Sequence, residues 1–438
     1  METGWPWAFA LKVFPAIHSP YNWKHRRSVT SGWVLSFLTP GCINMQIADV
    51  RIIQLEGVLE HDGPFWEERL IRPLDIYPEH KHETRENMLE RTPGRLHLQP
   101  CFLEIEADTG EVGIGGPFGE TEGRIILSSF RPLLTGQDPL AIERIWDRLY
   151  RSAVHGRKGI EMMALSVVDC ALWDLKGIYF NAPVCSLLGG PVRTEVPAYA
   201  SALGYSLEPD LVAERVRMIA DLGYRATKWF FRHGPHDGRA GRRLNLELVR
   251  TLRETAGPDI DIMLDCWMSW DVPYAIDMSR RLEEYQPRWL EEPVLPDKVD
   301  QYAQIRAESR IPISGGEHEY TRWGLHQLMQ KRACDVLQPD IYWAGGISEM
   351  MKICALASAY DLPVIPHGHS TPASIHLIAA WPVATCPMLE YLIKWNAVHQ
   401  FFLKHPIHPQ GGMVSVPDTP GLGMELDRDK ADRVTVLG

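Results

Sequence analysis

Three carboxylates recur at a fixed interval: Asp265, Glu291 and Glu317 stand 26 residues apart. Each closes a short apolar run, in "DIMLD", "RWLE" and "PISGGE". Brought to one point in a partly desolvated cleft, three anions repel strongly, so a cation must sit among them. All-oxygen donors select a hard divalent ion, Mg²⁺ first with Mn²⁺ as the alternative, and leave positions open for a substrate. A single carboxylate of this kind is more often a salt-bridge partner; three in register point to metal. Two further residues could move protons. Asp340 follows "VLQP" and His367 follows "PVIP". On neighbouring strands, the carboxylate would hold one ring nitrogen and raise the basicity of the imidazole, which makes a general base. The competing reading is a solvated loop histidine, beside Gly368 and His369, and a turn aspartate after Pro339.

These residues act together only if the chain brings them to one place. After Arg193, short apolar segments alternate with helical ones, which implies parallel strands joined by crossover helices. Eight strands are expected, at 196–201, 226–231, 261–267, 288–293, 312–317, 336–340, 363–368 and 388–393, with helices such as "LNLELVRTLRETAG" and "GISEMMKICALASAY" between them. Such a series matches an α/β fold of the β/α-barrel kind, in which polar residues at strand C-termini face the active-site mouth. Asp265, Glu291, Glu317, Asp340 and His367 all occupy that position. Upstream, strand-like pieces between Met45 and Thr109 precede the helical patterns "PLAIERIWDRLYRSA" and "GIEMMALSVVDCALWDLKGIYF", an α+β unit. A doubly wound nucleotide fold is the alternative. Its only sign is "GIGGPFG" (Gly113 to Gly119), which resembles the phosphate fingerprint loosely and lies outside the alternating region.

A chain of 438 residues with 45% hydrophobic content can bury a large core, and at about 100–200 residues per domain it suggests two or three domains. The net charge of −11 presents no basic stripe to a phosphate backbone, so nucleic acid is not an expected partner and a small molecule is. Eight cysteines lie scattered without a CxxC pair, which suits a reducing cytoplasm. Residues 1–44 differ in texture. Their basic "KHRR" and apolar "WVLSFL" are too short and broken for a secretory segment or a membrane span. A disordered extension outside the fold is expected there, with no membrane partner.

The motifs "MLDCWMSWD", "WLEEP", "SGGEHEY", "LQPD" and "VIPHG", in this order and spacing, resemble the mandelate racemase branch of the enolase superfamily and, within it, the L-rhamnonate dehydratase group. The likeness runs from Met45 to the C-terminus. It implies an N-terminal α+β capping domain over 45–193, a modified (β/α)₇β TIM-like barrel over 194–395, and a tail over 396–438, including "VPDTPGLGMELD", that packs back on the cap. It also implies Asp265, Glu291 and Glu317 as Mg²⁺ ligands and Asp340 with His367 as the catalytic dyad. Glu390 matches the acidic group near the developing enediolate, and His318 a histidine of the sugar-acid dehydratases. A homo-oligomer is expected.

The chemistry agrees with that assignment. A proton α to a carboxylate is too weakly acidic for an imidazole at neutral pH unless the resulting dianion is strongly stabilised, which a divalent metal does. A β-hydroxyl can then leave as water, giving an enol that tautomerises to a 2-keto-3-deoxy acid. Racemases and epimerases of this branch carry a K-x-K pair on the second strand. Here it reads Lys228, Trp229, Phe230, so the second base is replaced. With one competent base, dehydration is favoured; epimerisation through Lys228, or a sugar-acid sensor without turnover, are the alternatives. Lys228 is otherwise a binder of the substrate carboxylate or a snorkelling barrel lysine. In "DIYPEHKHETR", His80, Lys81, His82 and Arg85 suit hydroxyls and carboxylate, or form a solvated charge run. The apolar "WFF" hints at room for a deoxy carbon.

Overall fold

The computed structural model describes residues 45–81, 92 and 94–437; the expected extension 1–44, and His82 and Arg85 of the charged loop, lie outside the described residues. An antiparallel sheet comes first, from β1 (Ile47–Glu60), β2 (Arg95–Leu98), β3 (Cys101–Ala107) and β4 (Val112–Phe118). β2 and β3 pair with successive stretches of β1, and β4 pairs with β3. The helix Ile160–Tyr179 covers this sheet and also touches the helices at 341–344 and 346–358, so it is buried on most sides and reads as apolar almost throughout. The "GIGG" glycines serve this packing. A Cβ on Gly113 would lie 2.1 Å from the Ala171 carbonyl oxygen, so the motif is a strand pressed against a helix and not a phosphate loop.

Parallel strands follow: β5 (Glu195–Ser201), β6 (Ala226–Phe230), β7 (Asp261–Asp265), β8 (Trp289–Glu291), β9 (Ile313–Gly315), β10 (Val336–Leu337) and β11 (Leu389–Leu392). Their order in the sheet is β10-β9-β8-β7-β6-β5-β11, and strands consecutive in the chain are joined by helices, the curled sheet of a TIM-like barrel. The strand expected at 363–368 is reduced to one bridge, Val364 to Leu337. Pro363 and Pro366 flank it and remove the N–H donors a longer ladder needs. Prolines 293, 312 and 339 likewise trim the neighbouring strands below their expected lengths.

The C-terminal segment returns to both sheets. β12 (Met413–Ser415) runs antiparallel to β5, and β13 (Arg433–Leu437) adds an antiparallel edge to β1, a strand not foreseen from the sequence. Between them, Gly421 exchanges main-chain hydrogen bonds with Ala182 and Val184, at 3.1 and 2.9 Å. Asp174, fully buried in the helix 160–179, secures this return: its two oxygens accept from the Leu422 N–H at 2.6 Å and the Ile114 N–H at 2.7 Å. Asp174→Ala strands both donors in the core. It should cost about 3 kcal/mol, read as a lowered denaturation midpoint, with residual turnover unchanged per folded molecule.

Among the described residues no helix is long and apolar enough to cross a membrane. The described cysteines are free thiols, all buried.

Candidate active site

The barrel interior explains why the chemistry sits where it does. Tyr199, Ala226, Met263, Trp289, Val336 and Ile365 pack together, with Met388 against them, as an apolar plug. Side chains two residues further along a strand face the same way. The next layer toward the strand C-termini is therefore Lys228, Asp265, Glu291, Gln338, His367 and Glu390. Above it lies a cavity of about 280 Å³. Lys228, Asp265, Glu317, His318 and His367 form its polar side, and Leu70, Leu203, Leu392 and Trp395 face them. Glu291, Asp340 and Glu390 stand directly behind, each almost wholly buried.

His367 is fixed by the dyad expected from the sequence. Its Nδ1 lies 2.7 Å from Asp340 Oδ2, which leaves Nε2 toward the cavity, 3.7 Å from Glu317 Oε2. Asp340 is itself held by the Tyr342 N–H at 2.7 Å. Burial works to depress His367, but the Glu317 anion, the hydrogen bond to Asp340 and the charge of Glu390 overcome it and push the imidazole up to about 10. His318 is built the same way. Its Nδ1 lies 2.7 Å from Glu292 Oε2 and 3.5 Å from Glu317 Oε1, and these anions outweigh burial to raise it to about 9. Glu292 reaches this partner because its φ of 40° turns the chain just after Glu291, a strained conformation of the kind that gathers at functional sites.

Lys228 joins the carboxylates on the other side. Its ammonium contacts Glu291 directly, lies 2.8 Å from Glu390 Oε1, and 3.7 Å from Asp265 Oδ2. Burial alone would depress it; the anions of Glu291 and Glu390 hold it well above the usual lysine range. Glu390 Oε2 accepts from the Gly368 N–H at 3.0 Å, an approach that needs glycine, since a Cβ there would meet Glu390 and Leu392 within 3.0 Å. Asp265 Oδ1 is taken by the Trp267 N–H at 2.9 Å. Burial, then repulsion from Glu291, drives the Asp265 carboxyl far above the ordinary range; burial, against the pull of His367, takes Glu317 up to about 7.

Six carboxylates, of Asp265, Glu291, Glu292, Glu317, Asp340 and Glu390, thus crowd around one lysine and two imidazoles. That surplus of anionic oxygen fits a hard divalent cation, with Asp265, Glu291 and Glu317 as candidate holders. The tightest cluster of donor atoms is different: Glu292, Glu317 and His318 present theirs within 4.8 Å of one another. The hydrogen bond between His318 and Glu292 accounts for most of that closeness, whereas Lys228 stands among Asp265, Glu291 and Glu390.

Some expectations need correcting. His80 does not line the cavity; its carbonyl accepts from Arg69 and Arg72 at 3.1 and 3.0 Å. Nor does "WFF" shape the pocket. Trp229 and Phe231 belong to the outer core and Phe230 is wholly buried without lining the cavity; its apolar wall comes from the leucines and Trp395 instead. Glu319, beside His318 in the chain, is buried and 2.5 Å from Lys158. Trp343, His369, His399 and Gln338 escaped notice. Trp343 packs near both imidazoles, its ring centroid 5.0 Å from that of His367 and 5.7 Å from that of His318. Only Gln338 left a signal, as the inward residue two before Asp340.

Comparison with known proteins agrees with this architecture. Residues 210–430 match the enolase C-terminal domain-like family, and residues 95–189 the mandelate racemase / muconate lactonizing enzyme N-terminal domain. The chain is 35% identical to an L-rhamnonate dehydratase of Saccharopolyspora erythraea, over 87% of this chain and 97% of that protein. Among solved structures, rhamnonate dehydratase from Gibberella zeae complexed with Mg superposes with a TM-score of 0.77 at 31% identity, covering 88% of this chain and 96% of that one. The 3,6-anhydro-D-galactonate cycloisomerase of Zobellia galactanivorans gives 0.71 at 31% identity, covering 88% and 98%. The chain is a member of the enolase superfamily, in its mandelate racemase / muconate lactonizing enzyme branch.

Proposed function

We propose that the protein dehydrates a sugar acid of the aldonate type, rhamnonate or a close relative, to a 2-keto-3-deoxy acid, with Mg²⁺ held by Asp265, Glu291 and Glu317. That it is an enzyme, and a lyase, follows from its family and its 35% identity to a dehydratase. One observation carries the rest: His367, braced by Asp340 at 2.7 Å, presents its second nitrogen to a cavity that also exposes Asp265, Glu317 and His318. Mg²⁺, when bound, would share the charge of the carboxylates and of the substrate's own carboxylate, stabilising charge that develops there and withdrawing from His367 the anionic field that keeps it protonated.

His367 Nε2 takes the α-proton. Asp340 keeps the ring oriented and stabilises the imidazolium that results, and Glu390 adds a fixed negative charge behind it. The same imidazolium can return its proton to a β-hydroxyl leaving on that face, so one histidine serves a syn elimination. His318, with Nδ1 tied to Glu292, offers Nε2 as a second donor facing the substrate. Trp343 packs against both rings, and Leu70, Leu203 and Leu392 give the cavity apolar surface.

Epimerisation would need a second base on the opposite face. Lys228 is bound to Glu291 and Glu390, and Phe230 is buried where another lysine would stand, so neither group supplies one.

Purified protein with MgCl₂ should convert one or more members of an aldonic acid library to 2-keto-3-deoxy products, trapped as semicarbazones. Deuterium exchange at the α-carbon in D₂O that yields both configurations without loss of water would favour epimerisation. Absence of any product across the library would reject the proposal.

A further inference from the structure

We propose that Gln338 is a positioning residue: with Trp289, it decides which oxygen of Glu291 is turned to the charged side, where a cation would be held. The inference rests on the reading that Glu291 is one of the metal-holding carboxylates.

Glu291 uses its two oxygens differently. Oε2 accepts two hydrogen bonds from neutral donors, Gln338 Nε2 at 2.7 Å and Trp289 Nε1 at 3.0 Å. Oε1 accepts from the Lys228 ammonium and faces the charged side, where Asp265 and Glu390 also approach that lysine. With one oxygen held from below, the carboxylate cannot rotate without stranding two buried donors. Oε1, in contact with the Lys228 ammonium, is thereby aimed at the charged side before any metal ion arrives, and less ordering remains to be done on binding.

Both donors are rigid. Trp289 belongs to the apolar plug, its ring edge-on to Tyr199 at a centroid distance of 5.8 Å. Gln338 is 1% exposed and its own N–H donates to the Gly315 carbonyl at 2.9 Å. Gln338 reaches Glu291 across an intervening strand, since β9 lies between β10 and β8. Two strand spacings are roughly 9.5 Å, a long span for one side chain. The span is open because the β9 residue in register with both Glu291 and Val336 is Ser314, whose side chain is small. A larger residue at 314 would fill the path.

Gln338 also links the two halves of the site. It lies two residues before Asp340, so one short segment, "LQPD", orients a metal carboxylate through its first polar residue and the general base through its second. An amide suits this place and a carboxylate does not, since Glu291 accepts and requires a donor.

The test is calorimetric titration of MgCl₂ into wild type, Gln338→Leu, Gln338→Glu and Trp289→Phe, beside thermal denaturation and assays at saturating Mg²⁺. Gln338→Leu should weaken Mg²⁺ binding roughly 10- to 100-fold, Gln338→Glu more, and Trp289→Phe by a smaller factor. Saturating Mg²⁺ should restore kcat of Gln338→Leu to within a few fold. A merely structural residue would lower the melting point and leave the Mg²⁺ Kd where it was; that result overturns the proposal. If the Gln338 variants do not fold, Trp289→Phe decides, an unchanged Kd again counting against it. Wild-type protein that binds no Mg²⁺ would instead refute the metal reading itself.

Discussion

His367→Asn is expected to lower kcat by roughly 10⁴-fold while leaving the fold and the heat of Mg²⁺ binding near wild type. The size follows from the absence of a substitute. Lys228 is engaged by Glu291 and Glu390, His318 is held by Glu292, and Phe230 carries no base. Asparagine can still donate a hydrogen bond to Asp340, so the buried carboxylate keeps a partner and stability should fall little. The measurement is a single-turnover assay beside a titration of Mg²⁺. Turnover within tenfold of wild type would mean that another group removes the proton, and the dyad would lose its role.

Asp265→Asn should abolish turnover and weaken Mg²⁺ binding by more than about 100-fold, yet leave the protein as stable as before or more so. The opposite signs have one cause. The Asp265 carboxyl is buried beside Glu291 and near Glu317, and burial first, then repulsion from Glu291, holds it far above the ordinary range, so charging it costs stability. Replacing it by an isosteric amide relieves that repulsion, and asparagine keeps the acceptor for the Trp267 N–H. Lys228 retains its two closer partners. A functional site that costs stability is expected to gain it when the function is removed. If Asp265→Asn binds Mg²⁺ as wild type does, Asp265 is not a ligand. The neighbouring cluster of Glu292, Glu317 and His318 would then be the place to look.

The parts of the site legible in the sequence are those set by a single strand. Asp265, Glu291, His367 and Glu390 each lie two residues beyond an apolar plug residue, so a period of two, read along one segment, already faces them inward. The short strands were read too long for an equally local reason that went unweighed. Prolines at 293, 312, 339, 363 and 366 forbid the ladders that hydrophobic runs suggest. What crosses strands was not legible. Nothing local in "WLEEP" says that Glu291 would turn to Lys228 and Gln338 while the adjacent Glu292, at φ 40°, turned to His318.

The amino-acid order alone therefore determined the alternation of strand and helix, the inward layer of acids and histidine, and the membership these motifs declare, because each depends on residues near one another in the chain. Only the tertiary structure decided which carboxylate meets which cation, which residues wall the cavity, and that the C-terminal residues 433–437 complete the first sheet. Those outcomes depend on distances between segments far apart in sequence, fixed when the plug and the long helix pack.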